Sequence, residues 1–302
     1  MSCEVTAARA AHIPALTSLL QRALRGVPFT GPMDASTVRR ALAPTWGETP
    51  SPTPLAGEAA WVAMDGERVV GFCQAALGRS EADHEPAAGL IRMLAYPPER
   101  PDVGHALSAK AEAYLRDRGE REVYAFHYEG RWPDYHLPHA YLSSRLGHVM
   151  ALLAARGYEG YQDEATLARP MVVPPVVPPI EVRCEIVHGA HEMEGRNDQL
   201  AVARLPDGRD VGLCVWETLA DESSLPDAAT TLYVRWLHVD PAYRRKGLGA
   251  HLLTSAMLEA YRRGHRQATL CCLGDNGGAL SLYTTLGFRV VDWTRCLRLD
   301  LG

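Results

Sequence analysis

The sequence predicts an α/β (α+β) chain of two similar domains, each a mixed, mostly antiparallel twisted sheet flanked by helices. Three observations lead there. "RPMVVPPVVPPIEV", Arg169 to Val182, favours extended polyproline geometry and cannot continue a helix, so it reads as a semi-rigid linker. It divides the chain into a domain of residues 1–169, a linker at 170–179 and a domain of residues 180–302. Strand-like and helix-like segments then recur in the same order on both sides. Finally, "LLAARGYEGY" and "LYTTLGFRVV" echo each other as an internal repeat does.

In the second domain "EVRCEIV", "QLAVARL", "DVGLCVWETL" and "TLYVRWLHV" are β-type segments, with a turn at Pro206-Asp207-Gly208. Beyond a glycine loop, Leu252, Leu253, Ala256, Met257, Ala260 and Tyr261 recur at helical spacing. Arg262 and Arg263 suit a last helical turn and Gly264 a C-terminal cap. A strand "QATLCCL", a short helix in "NGGALSLYTTLGF" ending at Gly287, and a strand "FRVVDWTRCLRLDL" follow.

The first domain repeats this order less clearly. "HIPALTSLLQRAL" and "DASTVRRALA" read as helices, and "AAWVAMD" with "RVVGFCQAALG" as a hairpin around Asp65-Gly66. "GLIRMLAY" is a strand, "ALSAKAEAYLRDRG" a helix, "REVYAFHY" a strand and "YLSSRLGHVMALLAARGYE" a helix.

The composition narrows the function. Apolar residues make up 47% and charged residues 22% of the 302, as in a soluble globular protein. A net charge of −5 argues against general nucleic-acid binding. No apolar run nears the roughly 18 residues that span a bilayer, and the N-terminus lacks a secretory pattern. Seven scattered cysteines without a C-x-x-C pair fit reduced, partly buried thiols, so a cytoplasmic setting and no metal are expected. The histidines, His188-x-x-His191 included, lack supporting ligands and read as loop or surface residues.

The chemistry concentrates in "VDPAYRRKGLGAHLL", Val239 to Leu253. Glycines at 247 and 249 let backbone approach a ligand, and the helix start beyond them offers unsatisfied N–H groups and a positive dipole end. Arg244, Arg245 and Lys246 add cations, so a diphosphate is the natural occupant. The pattern is neither a P-loop nor a dinucleotide fingerprint, since position 252 is leucine. What remains, Arg244-x-x-Gly247-x-Gly249 after L-x-V-x-P, resembles the acetyl-CoA-binding signature of the GCN5-related N-acetyltransferase (GNAT) superfamily. "LGDNGGALSLYTTLGFR" is similar to that family's second region, an Asn at a strand end, then Leu-Tyr and Gly-Phe.

The resemblance implies two tandem GNAT folds and transfer of an acetyl group from acetyl-CoA to an amine in a ternary complex. Backbone amides of Arg245, Lys246, Gly247, Leu248, Gly249 and Ala250 would hold the pyrophosphate, with Arg244 bracing the loop. Leu237, His238 and Val239 would meet the pantetheine arm, and Asn276 would face the cofactor. Tyr283 matches the family's usual general acid, although a core aromatic on an amphipathic helix is the plainer reading. Glu217, His238 and Asp275 are candidate bases, none assigned, and ordered water is the alternative. Arg235, sharing strand parity with Tyr233, Leu237 and Val239, reads either as an ion-pair partner or as a contact to the acceptor.

Aligning Gly157-Tyr158 with Gly287-Phe288 puts Leu153 at the place of Tyr283 and Leu146 at that of Asn276. "YPPERPDVGHAL" keeps Arg100 but has Val103 and His105 for the two glycines, so the first domain is expected to be a degenerate, non-catalytic copy. The second domain is expected to lack the two early helices that shape the acceptor pocket in this family. A small-molecule amine acceptor, no nucleic-acid or membrane partner, and a monomer or homodimer are expected. The alternatives are a peptide or protein N-acetyltransferase and a non-catalytic acyl-CoA-binding regulator. Tyr283 and Asn276 together favour an enzyme.

Overall fold

The computed structural model describes residues 3–50, 55–78, 88–193 and 196–302. The chain divides into two compact units, Met1–Glu164 with Asp292–Gly302, and Ala165–Val291.

In the first unit β1 (Glu4–Ala7) leads to helices α1 (Ile13–Ala23) and α2 (Ala35–Leu42), the latter capped by Asp34 accepting from the Thr37 amide at 2.8 Å. The hairpin β2 (Leu55–Asp65) and β3 (Arg68–Gly78) turns where expected, with Asp65 opposite Arg68 and Gly66 at φ +60°. Strand β4 (Gly89–Ala95), helix α3 (Pro101–Asp117), β5 (Glu122–Ala125), the short β6 (Leu142–Ser143), α4 (Gly147–Ala155) and β7 (Glu159–Pro170), which counts with the second unit from Ala165, follow. Leu16, Leu20, Val38 and Leu42 of the early helices bury with Phe72, Ile91 and Val123 of the sheet and Leu107 of α3. Each such side chain stabilises the fold by roughly 2 kcal/mol.

The second unit holds the meander β8 (Glu185–Met193), β9 (Arg196–Arg204), β10 (Asp210–Thr218) and β11 (Thr231–Val239), all antiparallel neighbours. Helix α5 (Leu248–Arg262), β12 (Gln267–Leu273), α6 (Gly277–Thr285) and β13 (Arg289–Asp300) complete it. Only two residues separate β8 from β9, so the early helix pair is missing among the described residues of this unit. Leu252, Leu253 and Met257 of α5 pack on Leu232, Val234 and Leu270 of the sheet. From Asp292 onward β13 counts with the first unit, where Leu297 pairs with Ala125 and Thr294 with Ser143. Each unit has a mixed, mostly antiparallel sheet with one parallel step, β4–β5 in the first and β11–β12 in the second.

Three sequence expectations need correction. The helix read over 141–159 is a short strand, a turn and only then α4. Ser143 and Ser144 donate their hydroxyls to the two oxygens of Asp292, at 2.5 and 2.6 Å, and side chains committed this way compete with helix formation. Helix α3 starts five residues earlier than the sequence suggested, at Pro101, whose missing N–H costs nothing in a first turn. Strand β8 is shifted to 185–193, and β1, β6 and β7 had no sequence signal.

Asp292 also accepts from His136 at 3.1 Å. His136 Nδ1 accepts the Leu137 amide at 2.8 Å, so the imidazole proton sits on Nε2 and points at the carboxylate. Burial pushes the His136 imidazole below its ordinary pKa, and although burial works to raise Asp292, the hydrogen bonds it accepts hold it low. The all-protein partners make this a structural tie within the first unit.

Candidate functional site

Strands β11 and β12 run parallel and pair over Thr231–Val234 and Gln267–Leu270. Their ladder ends there, while β11 continues to Val239 and β12 to Leu273, so the two strands part at the level of Arg235. The parting coincides with a bulge. Trp216 faces Val234 and Val215 faces Trp236, leaving Arg235 as the extra residue on β11. This overturns the parity expected of Arg235 with Leu237 and Val239, while Tyr233, opposite Glu217, stays on the side of Arg235. The bulge flips the alternation, so Leu232 and Val234 before it and Leu237 and Val239 after it pack on the α5 side of the sheet.

Beyond Val239 the chain makes a turn at Pro241–Tyr243 and reaches the loop. Arg244 Nε donates to the Val239 carbonyl at 2.7 Å, which ties the loop to the strand end. That carbonyl, one of the backbone groups expected to meet a cofactor arm, therefore already has a partner. Lys246 turns back on its own loop, donating to the Ala242 carbonyl at 3.1 Å, with its ammonium 5.5 Å from the Tyr243 ring centroid. Arg245 and Gly247 adopt left-handed backbone, φ +64° and +79°, a conformation that costs a non-glycine residue roughly 1 kcal/mol or more. Gly247 caps α5 with no side-chain hydrogen bond, and the first turn holds no acidic residue. The helix N–H groups thus face outward with the positive dipole end behind them. Buried Leu248 anchors this turn. Pro178 and Pro179 lie beside it: His251 Nδ1 donates to the Pro178 carbonyl at 2.6 Å, and a Cβ at Gly247 would stand 3.4 Å from the Pro179 carbonyl.

Asn276 accepts the Ala279 amide at 3.1 Å and so caps α6. Two turns on, Tyr283 is 8% exposed, with Phe288 at 6.1 Å between ring centroids. Burial, aided by the nearby Cys272 and Cys214 thiols, pushes its phenol well above the ordinary value of 10. Among the described residues nothing hydrogen-bonds to its hydroxyl.

The candidate bases are placed differently from one another. Asp275 is exposed on the turn before α6. His238 is half-exposed and meets Asp240 at 3.3 Å. Glu217 is 2% exposed, on the sheet face away from α5, and accepts from Arg235 at 3.0 Å. Burial pushes its carboxyl up to about 7 against the pull of Arg235. Sequence reasoning missed Asp198, which is 1% exposed and neighbours this pair; among the described residues neither of its oxygens has a hydrogen-bond partner. A lone acid entering an apolar strand, "NDQLAVARL", was the only available signal.

The corresponding places in the first unit are closed. Arg100 is spent on Asp102 and Asp65, at 2.8 and 3.0 Å, and Asp102 lies in the first turn of α3, where an anion would otherwise sit. Leu153 is buried where α6 has Tyr283, and Leu146 gives α4 no side-chain cap. Among the described residues no group of His, Cys, Asp and Glu could hold a metal ion, and no helix is long and apolar enough to cross a membrane.

Residues 196–290 match the family model of the acetyltransferase (GNAT) domain. No curated protein sequence matches the chain. Among solved structures, a tandem GNAT protein from the clavulanic acid biosynthesis pathway is 17% identical, with 100% of this chain and 99% of that one covered and a TM-score of 0.66. A GCN5-related N-acetyltransferase from Sphaerobacter thermophilus is 18% identical, with coverage of 99% and 95% and a TM-score of 0.63. The glucosamine N-acetyltransferase region of a fungal multi-domain β-N-acetylglucosaminidase gives a TM-score of 0.71 at 15% identity, this chain covering 38% of that longer one. At such identities the likeness is one of fold. The second unit therefore carries a GNAT domain, and the chain along its whole length has the fold of tandem GNAT proteins.

Proposed function

We propose that the second unit binds acetyl-CoA along β11 and the first turn of α5 and transfers its acetyl group to a primary amine of a small molecule by direct attack. One observation carries this reading: the uncapped start of α5, behind two left-handed residues, stands at the end of a strand that parts from its parallel neighbour. The residues fit the co-substrate. Gly247 and Gly249 present no side chain, no acid opposes an anion in that turn, and Arg244 fixes the loop from behind. Acetyl-CoA, when bound, supplies the activated thioester carbonyl. Backbone N–H groups from Arg245 to Ala250 hold its pyrophosphate, and the backbone of Leu237 and His238 aligns its arm, with Asn276 fixing the start of α6 beside it.

Tyr283 keeps its proton on the phenol oxygen and hands it to the sulfur as the C–S bond breaks. The burial that raises the phenol also raises a thiol leaving beside it, so the transfer between them is better matched than their values in water suggest. The acceptor amine attacks in its neutral form, its proton leaving through ordered water. The first unit, with its loop and helix start internally closed, takes no part in the chemistry. The reading places the enzyme in the cytoplasm, as a monomer or homodimer.

The test follows release of free thiol from acetyl-CoA over a panel of small amines. Turnover with at least one amine is expected, and Tyr283→Phe should lower kcat by about 10²–10⁴-fold while leaving acetyl-CoA affinity near wild type. Turnover confined to peptide N-termini would redirect the acceptor to proteins. Tight acetyl-CoA binding without thiol release from any acceptor would leave a binding protein.

A further inference from the structure

The two units carry the same bulge. In the first, Ala75 faces Ile91 and Gln74 faces Met93, so Arg92 is the extra residue of β4, as Arg235 is of β11. The next strand matches too, Ala59 opposite Ala75 and Gln199 opposite Trp216, which makes Glu58 and Asp198 the same position. Each unit thus sets an acid two strands away from the arginine at its bulge.

What differs is how the cluster is completed. In the first unit Glu58 pairs directly with Arg92, whose remaining groups donate to the Gly130 and Arg131 carbonyls. Gln74 joins them, donating to Glu58 at 2.8 Å and accepting from the Trp132 indole at 2.5 Å. In the second unit the position of Ala76 is Glu217, and it takes the arginine at 3.0 Å, with Glu222 at 3.7 Å. Asp198, one methylene shorter than Glu58, is left buried with both oxygens unpartnered among the described residues. Three carboxylates therefore stand against one guanidinium, and a buried carboxylate without a partner costs several kcal/mol unless a cation meets it.

We infer that Asp198, with Glu217 beside it, is a subsite for an ammonium group of the acceptor other than the one acetylated. The subsite rests on the acyl-transfer reading for its name but not for its test. Glu217 supports it: its carboxyl stands at about 7, facing Arg235, Glu222 and Asp198, so an arriving ammonium expels a proton.

The experiment titrates the full chain, with acetyl-CoA present and absent, with 1,4-diaminobutane, butylamine, butanol and butyrate, by calorimetry and thermal denaturation. The diamine is expected to bind at least tenfold more tightly than butylamine, with proton release near pH 7. Asp198→Asn should abolish that preference, leave butylamine and acetyl-CoA affinities within twofold, and raise the Tm of the free protein. A wild type with no preference for the diamine overturns the inference, as does an Asp198→Asn variant that keeps the preference or loses both amines equally. A chain that prefers the diamine through Asp198 yet releases no thiol would keep the subsite and lose the acyl transfer.

Discussion

Glu217 sets a pH dependence at the scale of one residue. Its carboxyl rises from the ordinary 4.5 to about 7 on folding, chiefly through burial, so the folded chain holds a proton that the unfolded chain releases. Stability from this group is whole below about 4.5 and is lost as pH rises to about 7, by about 3 kcal/mol at most. Glu217→Gln should flatten that slope, and denaturant midpoints measured across this range would show it; an unchanged slope removes Glu217 as its source. The loop residues and Tyr283 were legible because their spacing is a motif. Asp198 and the true face of Arg235 were not, because a bulge adds its residue through register with a neighbouring strand. No pattern within β11 alone reveals it.

The elements around the loop behave as their backbone requires. Gly247 sits at φ +79°, so Gly247→Ala should cost roughly 1–2 kcal/mol, seen as a lower Tm. Gly249 has ordinary φ, and a Cβ there would meet Leu282 at 3.4 Å, so Gly249→Val should keep the fold better. It should still weaken acetyl-CoA on the order of tenfold or more, about 1.4 kcal/mol, in a calorimetric titration. Unchanged affinity would remove the loop as phosphate cradle. The bounds of β11 and β12 match the sequence reading because turn-forming residues set them, Pro241 shortly after β11 and Gly264 before and Gly274 after β12. The segment 141–159 was misread because its apolar residues suit a helix while two serines answer to a distant aspartate.

For the whole molecule, the closed loop of the first unit predicts one acetyl-CoA per chain; a measured stoichiometry of two would contradict the degenerate copy. Asp292→Ala should destabilise the first unit by ~3 kcal/mol, since it strands His136 and Ser143 in the interior and takes a partner from Ser144, and proteolysis or hydrogen exchange would locate the loss there. That aspartate opens the last stretch of β13, and this stretch pairs with β5, about 175 residues earlier in the chain. On the ribosome, the first sheet therefore cannot close until the second unit has been made. The nascent chain carries an unpaired edge at β5 throughout, and the slow, long-range closure of that edge sets the order of folding: the later-made unit can finish before the earlier one.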